Sequence, residues 1–285
     1  MGQIVGAAIV SHHPGLMQCE EFRVLMGAGA DSDLIAGYER LRARIAAAQP
    51  DVVLIFDTHW FTTGYHLVDA GQHYAGMYVS DEMPWYLHGV PYDYDGCPEL
   101  AYAVEAVARE RKVASRAINH PALARHYPTI NVVHKLRLAQ PVVSVSSCQN
   151  CRSEHFLQSG AVIGEAIARS GRRVLLLASG ALSHRFNAID WVPAHPRIFH
   201  EDNVSSRRNV ELDKQAIALM AEGRHDRIVD DWDSTYRPVY WEAAGAHYLQ
   251  MLGALGGRDC RAKGTPMSDY ENARGTGNIH VWFDV

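Results

Sequence analysis

No apolar run in this chain is long enough to cross a bilayer. The opening segment, MGQIVGAAIVSHHPG, has neither the basic start nor the cleavage pattern of a secretory signal. Gly2 follows Met1, but position 6 is Gly6 rather than Ser or Thr, so the myristoylation pattern fails as well. These absences lead to the expectation of a cytoplasmic protein with no membrane partner. Positive charge is scarce too: the formal net charge is -5, so no polybasic face invites nucleic acid, and a small molecule is the more natural partner. Cysteine is the next shortage. Five in 285 residues, an odd number, do not make a secreted disulfide framework. Cys19, Cys97 and Cys260 stand alone. The CQNC spacing, Cys148 to Cys151, suits a redox pair or half of a zinc site, but zinc would need a second Cys or His pair and none is obvious; small buried thiols are the plainer reading.

What the chain does have is core-forming material. Apolar residues make up 47% of it and charged residues 21%, a balance that argues against disorder. The length suits a single α/β domain spanning residues 1–285. Continuous apolar runs at 4–10 (IVGAAIV), 51–56 (DVVLIF), 141–147 (PVVSVSS) and 174–179 (VLLLAS) predict strands covered on both faces. Segments of helical period lie between them. DLIAGYERLRARIAAA puts Leu34, Tyr38, Leu41 and Ile45 on one face, and PELAYAVEAVARER does the same with Leu100, Val104 and Val107. A further helix is expected to end at Gly171, the region from about 205 to 257 reads as mainly helical, and HVWFDV reads as a last strand. The prediction is a central β-sheet with helices on both sides. Residues 71–98, rich in Tyr, Asp, Gly and Pro without periodicity, are expected to form a loop that shapes a pocket.

Ligands of open α/β sheets bind beyond the carboxyl ends of the strands. His12 follows the first strand, His59 the second, and His184 comes soon after VLLLAS, so three histidines distant in sequence can meet at one sheet edge. His13, next to His12, alternates to the opposite side if the strand continues, so one of the pair should miss the site. His66, His73, His88, His155, His195, His200, His225 and His280 read as solvated imidazoles in polar loops or on helix surfaces. Two histidines and a carboxylate on one face make a metal site with open positions. Glu242, read as near the start of a helix whose stripe is Ala246, Leu249 and Leu252, is a candidate for the acid, although a carboxylate there also suits the helix dipole.

The motifs SHHPGL, FDTHWF, ASGALSHRF, the Glu242 region and GTGN, in this order, together resemble the class III extradiol ring-cleavage dioxygenases of the LigB-type superfamily. The likeness also takes in PYDYDGCPELA and INHPALARHYPTI and spans nearly the whole chain. It is greatest for the homoprotocatechuate 2,3-dioxygenase and 2-aminophenol 1,6-dioxygenase branches. The resemblance implies a LigB-like mixed sheet, a ferrous ion, Fe(2+), held by His12, His59 and Glu242, and His184 as an acid–base residue outside the metal's ligands. It implies a small aromatic substrate, O2 as co-substrate, and a homo-oligomer or an assembly with a related subunit. In RHYPTI, Tyr127 stands where many protocatechuate-type relatives have a second active-site histidine; His126 is one position off and receives no role. Whether Tyr127 acts in catalysis or only packs is left open. A zinc hydrolase on the same two His and one Glu, and a non-catalytic paralogue, are the alternatives.

Overall fold

The four continuous apolar runs form adjacent strands at the middle of one sheet, as their two-sided burial requires. The computed structural model describes residues 1–193 and 195–285. Twelve strands are present among them: β1 (Gln3–Val10), β2 (Val52–Thr62), β3 (His66–Asp69), β4 (His73–Val79), β5 (His88–Asp95), β6 (Ser115–Ile118), β7 (Val142–Cys148), β8 (Arg173–Ser179), β9 (Gly264–Pro266), β10 (Glu271–Ala273), β11 (Thr276–Asn278) and β12 (Val281–Phe283). Eight of these build the main sheet in the order β6-β3-β7-β2-β8-β1-β12-β9. The central strands β7, β2, β8 and β1 run parallel, whereas β12 pairs antiparallel with β1 and with β9, and β3 antiparallel with β7. The sheet is therefore mixed.

The helices are α1 (Glu20–Met26), α2 (Asp33–Ala48), α3 (Pro98–Arg111), α4 (Tyr127–Leu136), α5 (Ser153–Ser170), α6 (Arg207–Ala221), α7 (His225–Asp230) and α8 (Ala246–Ala254). Alternate residues of each central strand enter different cores. Ile9, Leu54 and Leu176 pack with Leu100 of α3, Ile163 of α5 and Leu249 of α8. Their neighbours Val10, Val53 and Leu177 pack with Leu34, Tyr38 and Leu41 of α2 and Val132 of α4. Period-2 side-chain alternation thus turns an all-apolar strand into the shared wall of two layers. Helix α5 ends at Gly171, whose φ of 73° is the left-handed conformation a helix stop favours. Helices α5 and α8 meet at glycines: a Cβ at Gly160 would stand 2.0 Å from the carbonyl oxygen of Gln250. That close approach fixes α8, and with it the turn that carries Glu242.

Residues 71–98 are not an irregular loop. They fold mostly as the antiparallel hairpin β4–β5, held by cross-strand aromatic pairs such as Tyr74 opposite Tyr94, with ring centroids 5.2 Å apart. Most of the hairpin is exposed, so its sequence lacks the alternation of a half-buried strand. Its tip does shape a pocket: Glu82, Met83, Trp85 and Tyr86 line the cavity described below. Among the described residues, no helix is long and apolar enough to cross a membrane.

Candidate metal centre

At the carboxyl edge of the parallel strands, β2 departs from its partner. Phe56 pairs with Val145 of β7, but the next pairing is Phe61 with Ser147, so Asp57 to Trp60 bulge out of the ladder. The buried Asp57 carboxylate holds this bulge. It accepts from the backbone N–H of His59 at 2.9 Å, that of Trp60 at 3.0 Å, and the hydroxyl of Thr129 on α4 at 2.6 Å. The bulge turns His59 toward His12, which lies two residues past the end of β1.

Glu242 completes the group. Candidate ligand atoms of His12, His59 and Glu242 all lie within 4.8 Å of one another, the one cluster of three among the described residues that could hold a metal ion. Glu242 Oε1 stands 3.2 Å from His12 Nε2 and 3.0 Å from His59 Nε2. Its position differs from the sequence expectation. Glu242 does not lie in the first turn of α8 but four residues ahead of it, in a turn where Ala243 (φ 48°), Ala244 (φ 55°) and Gly245 (φ 74°) are all left-handed. Such backbone is costly for alanine and rare outside sites that need it, and the helix dipole no longer accounts for the acid.

Hydrogen bonds around the cluster fix which nitrogen of each ring faces inward. Ser179 Oγ donates its single proton to the carbonyl of Pro128 at 2.9 Å, so it must accept from His12 Nδ1–H at 3.0 Å. His59 Nδ1–H donates to the Glu82 carboxylate at 2.8 Å. Both Nε2 atoms are thereby left as lone-pair donors toward Glu242, the arrangement by which outer partners orient metal-binding histidines. Thr58 Oγ1 donates to Glu242 Oε1 at 2.8 Å and the Ala181 N–H donates to Oε2.

The electrostatics call for a cation. Burial by itself pushes the Glu242 carboxyl up, yet His12, His184 and the histidine hydrogen bonds hold it well below its ordinary range. Burial would lower His59, but the carboxylates of Glu242 and Glu82 on its two nitrogens push it up to about 10, so without a metal a proton occupies the Nε2 lone pair that a metal would take. An ionised carboxylate with two oriented imidazoles fits a divalent metal, and two histidines with one carboxylate on one face match the donor set of non-haem iron sites.

His184 follows β8, and its Nε2 is 3.9 Å from Glu242 Oε1, beside the cluster rather than in it. Its N–H donates to the Tyr240 carbonyl at 2.8 Å, which fixes the backbone and leaves the ring facing the cavity. Burial lowers its pKa. Tyr127, the first residue of α4, is buried with its hydroxyl 2.9 Å from His59 Nε2. Burial and then the Glu242 charge raise its pKa far above the usual phenol value, so it keeps its proton and can donate a hydrogen bond. His13 stays outside the three-residue cluster but lines the same cavity: its Nδ1 accepts from the Gly15 N–H at 3.1 Å, and its ring packs edge-on against Phe199. His126 precedes α4 and lies outside the cluster.

Several bland histidines are not solvated. His66, His225 and His280 are 2%, 1% and 0% exposed, because tertiary packing covers segments whose local sequence is polar. His280 Nδ1 accepts from the Ser11 N–H while its Nε2–H donates to the Leu34 carbonyl, which braces the chain just before His12. The CQNC thiols are free, with Cys148 buried and Cys151 Sγ 3.5 Å from His66 Nε2, and among the described residues they form no three-ligand cluster. Sequence reasoning missed Asp57, Thr58, Ser179 and Glu82. The first two lie inside FDTHWF and could have been weighed with His59; Ser179 lies inside ASGALSHRF and Glu82 inside the expected pocket-shaping segment 71–98, but neither residue stood out there.

The family described as the catalytic LigB subunit of aromatic ring-opening dioxygenase matches residues 6–283. The chain belongs to that family. It is 26% identical to 3,4-dihydroxyphenylacetate 2,3-dioxygenase of Escherichia coli over 90% of this chain and 91% of that protein. It is 28% identical to the 2-aminophenol 1,6-dioxygenase beta subunit of a Pseudomonas species over 100% of this chain and 95% of that protein, and 24% identical to the alpha subunit over 99% and 97%. An uncharacterized protein of Escherichia coli K12 has the same fold, with a TM-score of 0.63, 16% identity, and coverage of 97% of this chain and 98% of that one. At the level of the family, the LigB chain is a ring-cleaving dioxygenase, an oxidoreductase.

Proposed function

We propose that the whole chain is one catalytic domain that opens the ring of a catechol or an ortho-aminophenol with dioxygen, using iron(II) held by His12, His59 and Glu242. The observation that carries this reading is the convergence of two tautomer-fixed imidazoles and an ionised carboxylate on one point at the sheet edge. When bound there, iron(II) supplies the redox chemistry through which an aromatic substrate and dioxygen can react, and three ligands leave room for both.

The residues of the chain do the rest. His184 faces the same cavity without joining the cluster, so its imidazole takes the proton of the substrate hydroxyl and returns it as the ring opens. Partial exposure, 20% of the side chain, lets it exchange protons with solvent. Tyr127 donates a hydrogen bond to an oxygen of the bound reactants from its fixed place on α4. Ser179 and Glu82 hold the two histidine rings in the orientation the metal needs. The cavity above the cluster orients the substrate, which removes much of the entropic barrier to reaction. Assembly with a second copy or a related subunit in the cytoplasm belongs to the same reading, supported by the similarity to both subunits of a Pseudomonas enzyme.

The test is oxygen uptake by anaerobically iron-loaded protein mixed with catechols and 2-aminophenol, together with the absorbance of the ring-opened product. Uptake with iron(II) and none with zinc supports the reading. Hydrolytic activity with zinc and no oxygen uptake with iron would replace it with a zinc hydrolase.

A further inference from the structure

We propose that the ring opened at this site carries a bulky apolar substituent, at least as large as a second aromatic ring. This rests on the ring-opening reading above and goes beyond it to the class of substrate. The cavity that has His12, His184, Tyr127 and Glu242 at its floor measures about 550 Å³. A cavity of about 150 Å³ is enough to hold a benzene ring. A bare catechol, or one with a short side chain, therefore leaves most of the space unfilled.

The walls say what would fill it. Phe22 from α1, Met83, Trp85 and Tyr86 from the tip of the β4–β5 hairpin, and Phe186 and Ile189 from the segment after β8 all line the same cavity. Trp85, Phe186 and Ile189 are 77%, 67% and 97% exposed, so little among the described residues covers them. Single exposed apolar residues are ordinary on protein surfaces, but large ones from three separate segments converging on one concave site mark a binding surface. The surface is continuous with the candidate metal centre, which ties it to the substrate. Charge points the same way. Arg274, exposed in the turn between β10 and β11, is the one lysine or arginine lining the cavity among the described residues, and the carboxylate of Glu82 on the same lining offsets it. A short acidic side chain would find little net attraction and a mostly apolar wall.

The experiment uses iron-loaded protein and a series of 4-alkylcatechols from methyl to hexyl, with 2,3-dihydroxybiphenyl and 3,4-dihydroxyphenylacetate for comparison. Both steady-state kinetics and anaerobic equilibrium binding by calorimetry are measured. Burying each added methylene should tighten binding roughly fourfold until the cavity is full, and Trp85→Ala and Ile189→Ala should flatten that dependence. Affinity that is level along the alkyl series, or 3,4-dihydroxyphenylacetate bound more tightly than the hexyl compound, overturns the proposal. So does a level series from a protein that sediments as a dimer and becomes monomeric on Ile189→Ala, because a second copy would then be what covers the apolar wall. If affinity rises along the series but no catechol consumes oxygen, the ring-opening reading fails and the apolar preference of the cavity stands.

Discussion

Glu82 accepts a hydrogen bond from Nδ1 of His59 at 2.8 Å, a polar contact that joins the exposed tip of the β4–β5 hairpin to the candidate metal centre, beside the apolar cluster that Tyr78 and Leu87 form with Tyr127. The hairpin lies outside the main sheet, so Glu82 reaches His59 only through tertiary packing. Glu82→Ala should lower metal affinity by about 10- to 100-fold, the usual effect of losing a partner that orients a ligand histidine. Glu82→Gln, whose amide oxygen can still accept from Nδ1–H, should recover most of it. Competition titrations with a chelator measure both; equal affinities for wild type and Glu82→Ala would show that the contact does not orient the ring.

The left-handed turn after Glu242 should tolerate little change. A Cβ at Gly245 would stand 2.2 Å from the Trp232 indole, and the φ of 74° is itself unfavourable for alanine. Gly245→Ala should therefore cost about 2 kcal/mol or more, since overpacking and backbone strain add at one position. Denaturant unfolding reads the stability, and metal content reads the displacement of Glu242. A variant with unchanged stability and full metal would mean that the turn is softer than its contacts imply.

Acid should destabilise the protein through histidines away from the metal. Burial first, and for His66 the charge of His155 as well, lowers His66 and His280 to about 4. In the unfolded chain both take up a proton below about 6.5. Between these values the unfolded state binds more protons, so each ring's contribution is full above pH 6.5 and is lost as the pH falls toward 4, at about 1.4 kcal/mol per pH unit. Asp213, which burial pushes up to about 7, acts in the opposite direction over the whole of this range and offsets part of the effect. The informative quantity is the difference between variants: His280→Gln should unfold with a shallower pH dependence between 6.5 and 4 than wild type. Parallel curves would show that His280 is not held neutral.

His184→Phe should keep the metal and lose the chemistry. The replacement retains an aromatic ring beside Phe186, whose centroid is 4.8 Å away, and removes both nitrogens. Turnover should fall by roughly 10²- to 10⁴-fold, the size of a general acid–base contribution, while iron content and substrate binding stay near wild type. Loss of iron would make His184 a ligand, and unchanged single-turnover kinetics would make it structural.

Much of the architecture was legible because the central strands are buried on both faces and so read as continuous apolar runs, while α2 and α3 show a clear apolar stripe. The strand-end rule was enough to bring His12, His59 and His184 to one edge. Other features leave no local mark. The β4–β5 hairpin stands on aromatic cross-strand pairs rather than alternation, and it read as a loop. Glu242 gained its place from left-handed backbone that spacing does not report. Ser179 is one small residue in an apolar strand, and its role depends on the Pro128 carbonyl arriving from another segment. His66, His225 and His280 looked solvated because their sequence neighbours are polar, whereas their burial comes from elements far away in the chain.

The central claim is that His12, His59 and Glu242 hold one iron(II) ion on which ring opening depends. Its most direct test is iron stoichiometry after anaerobic loading and desalting, with oxygen uptake on the same samples, for wild type and for His12→Ala, His59→Ala and Glu242→Ala. The account predicts about one iron per chain and oxygen uptake in wild type, with most of the iron and the activity lost in each folded variant. Full iron and full activity in all three variants would contradict it.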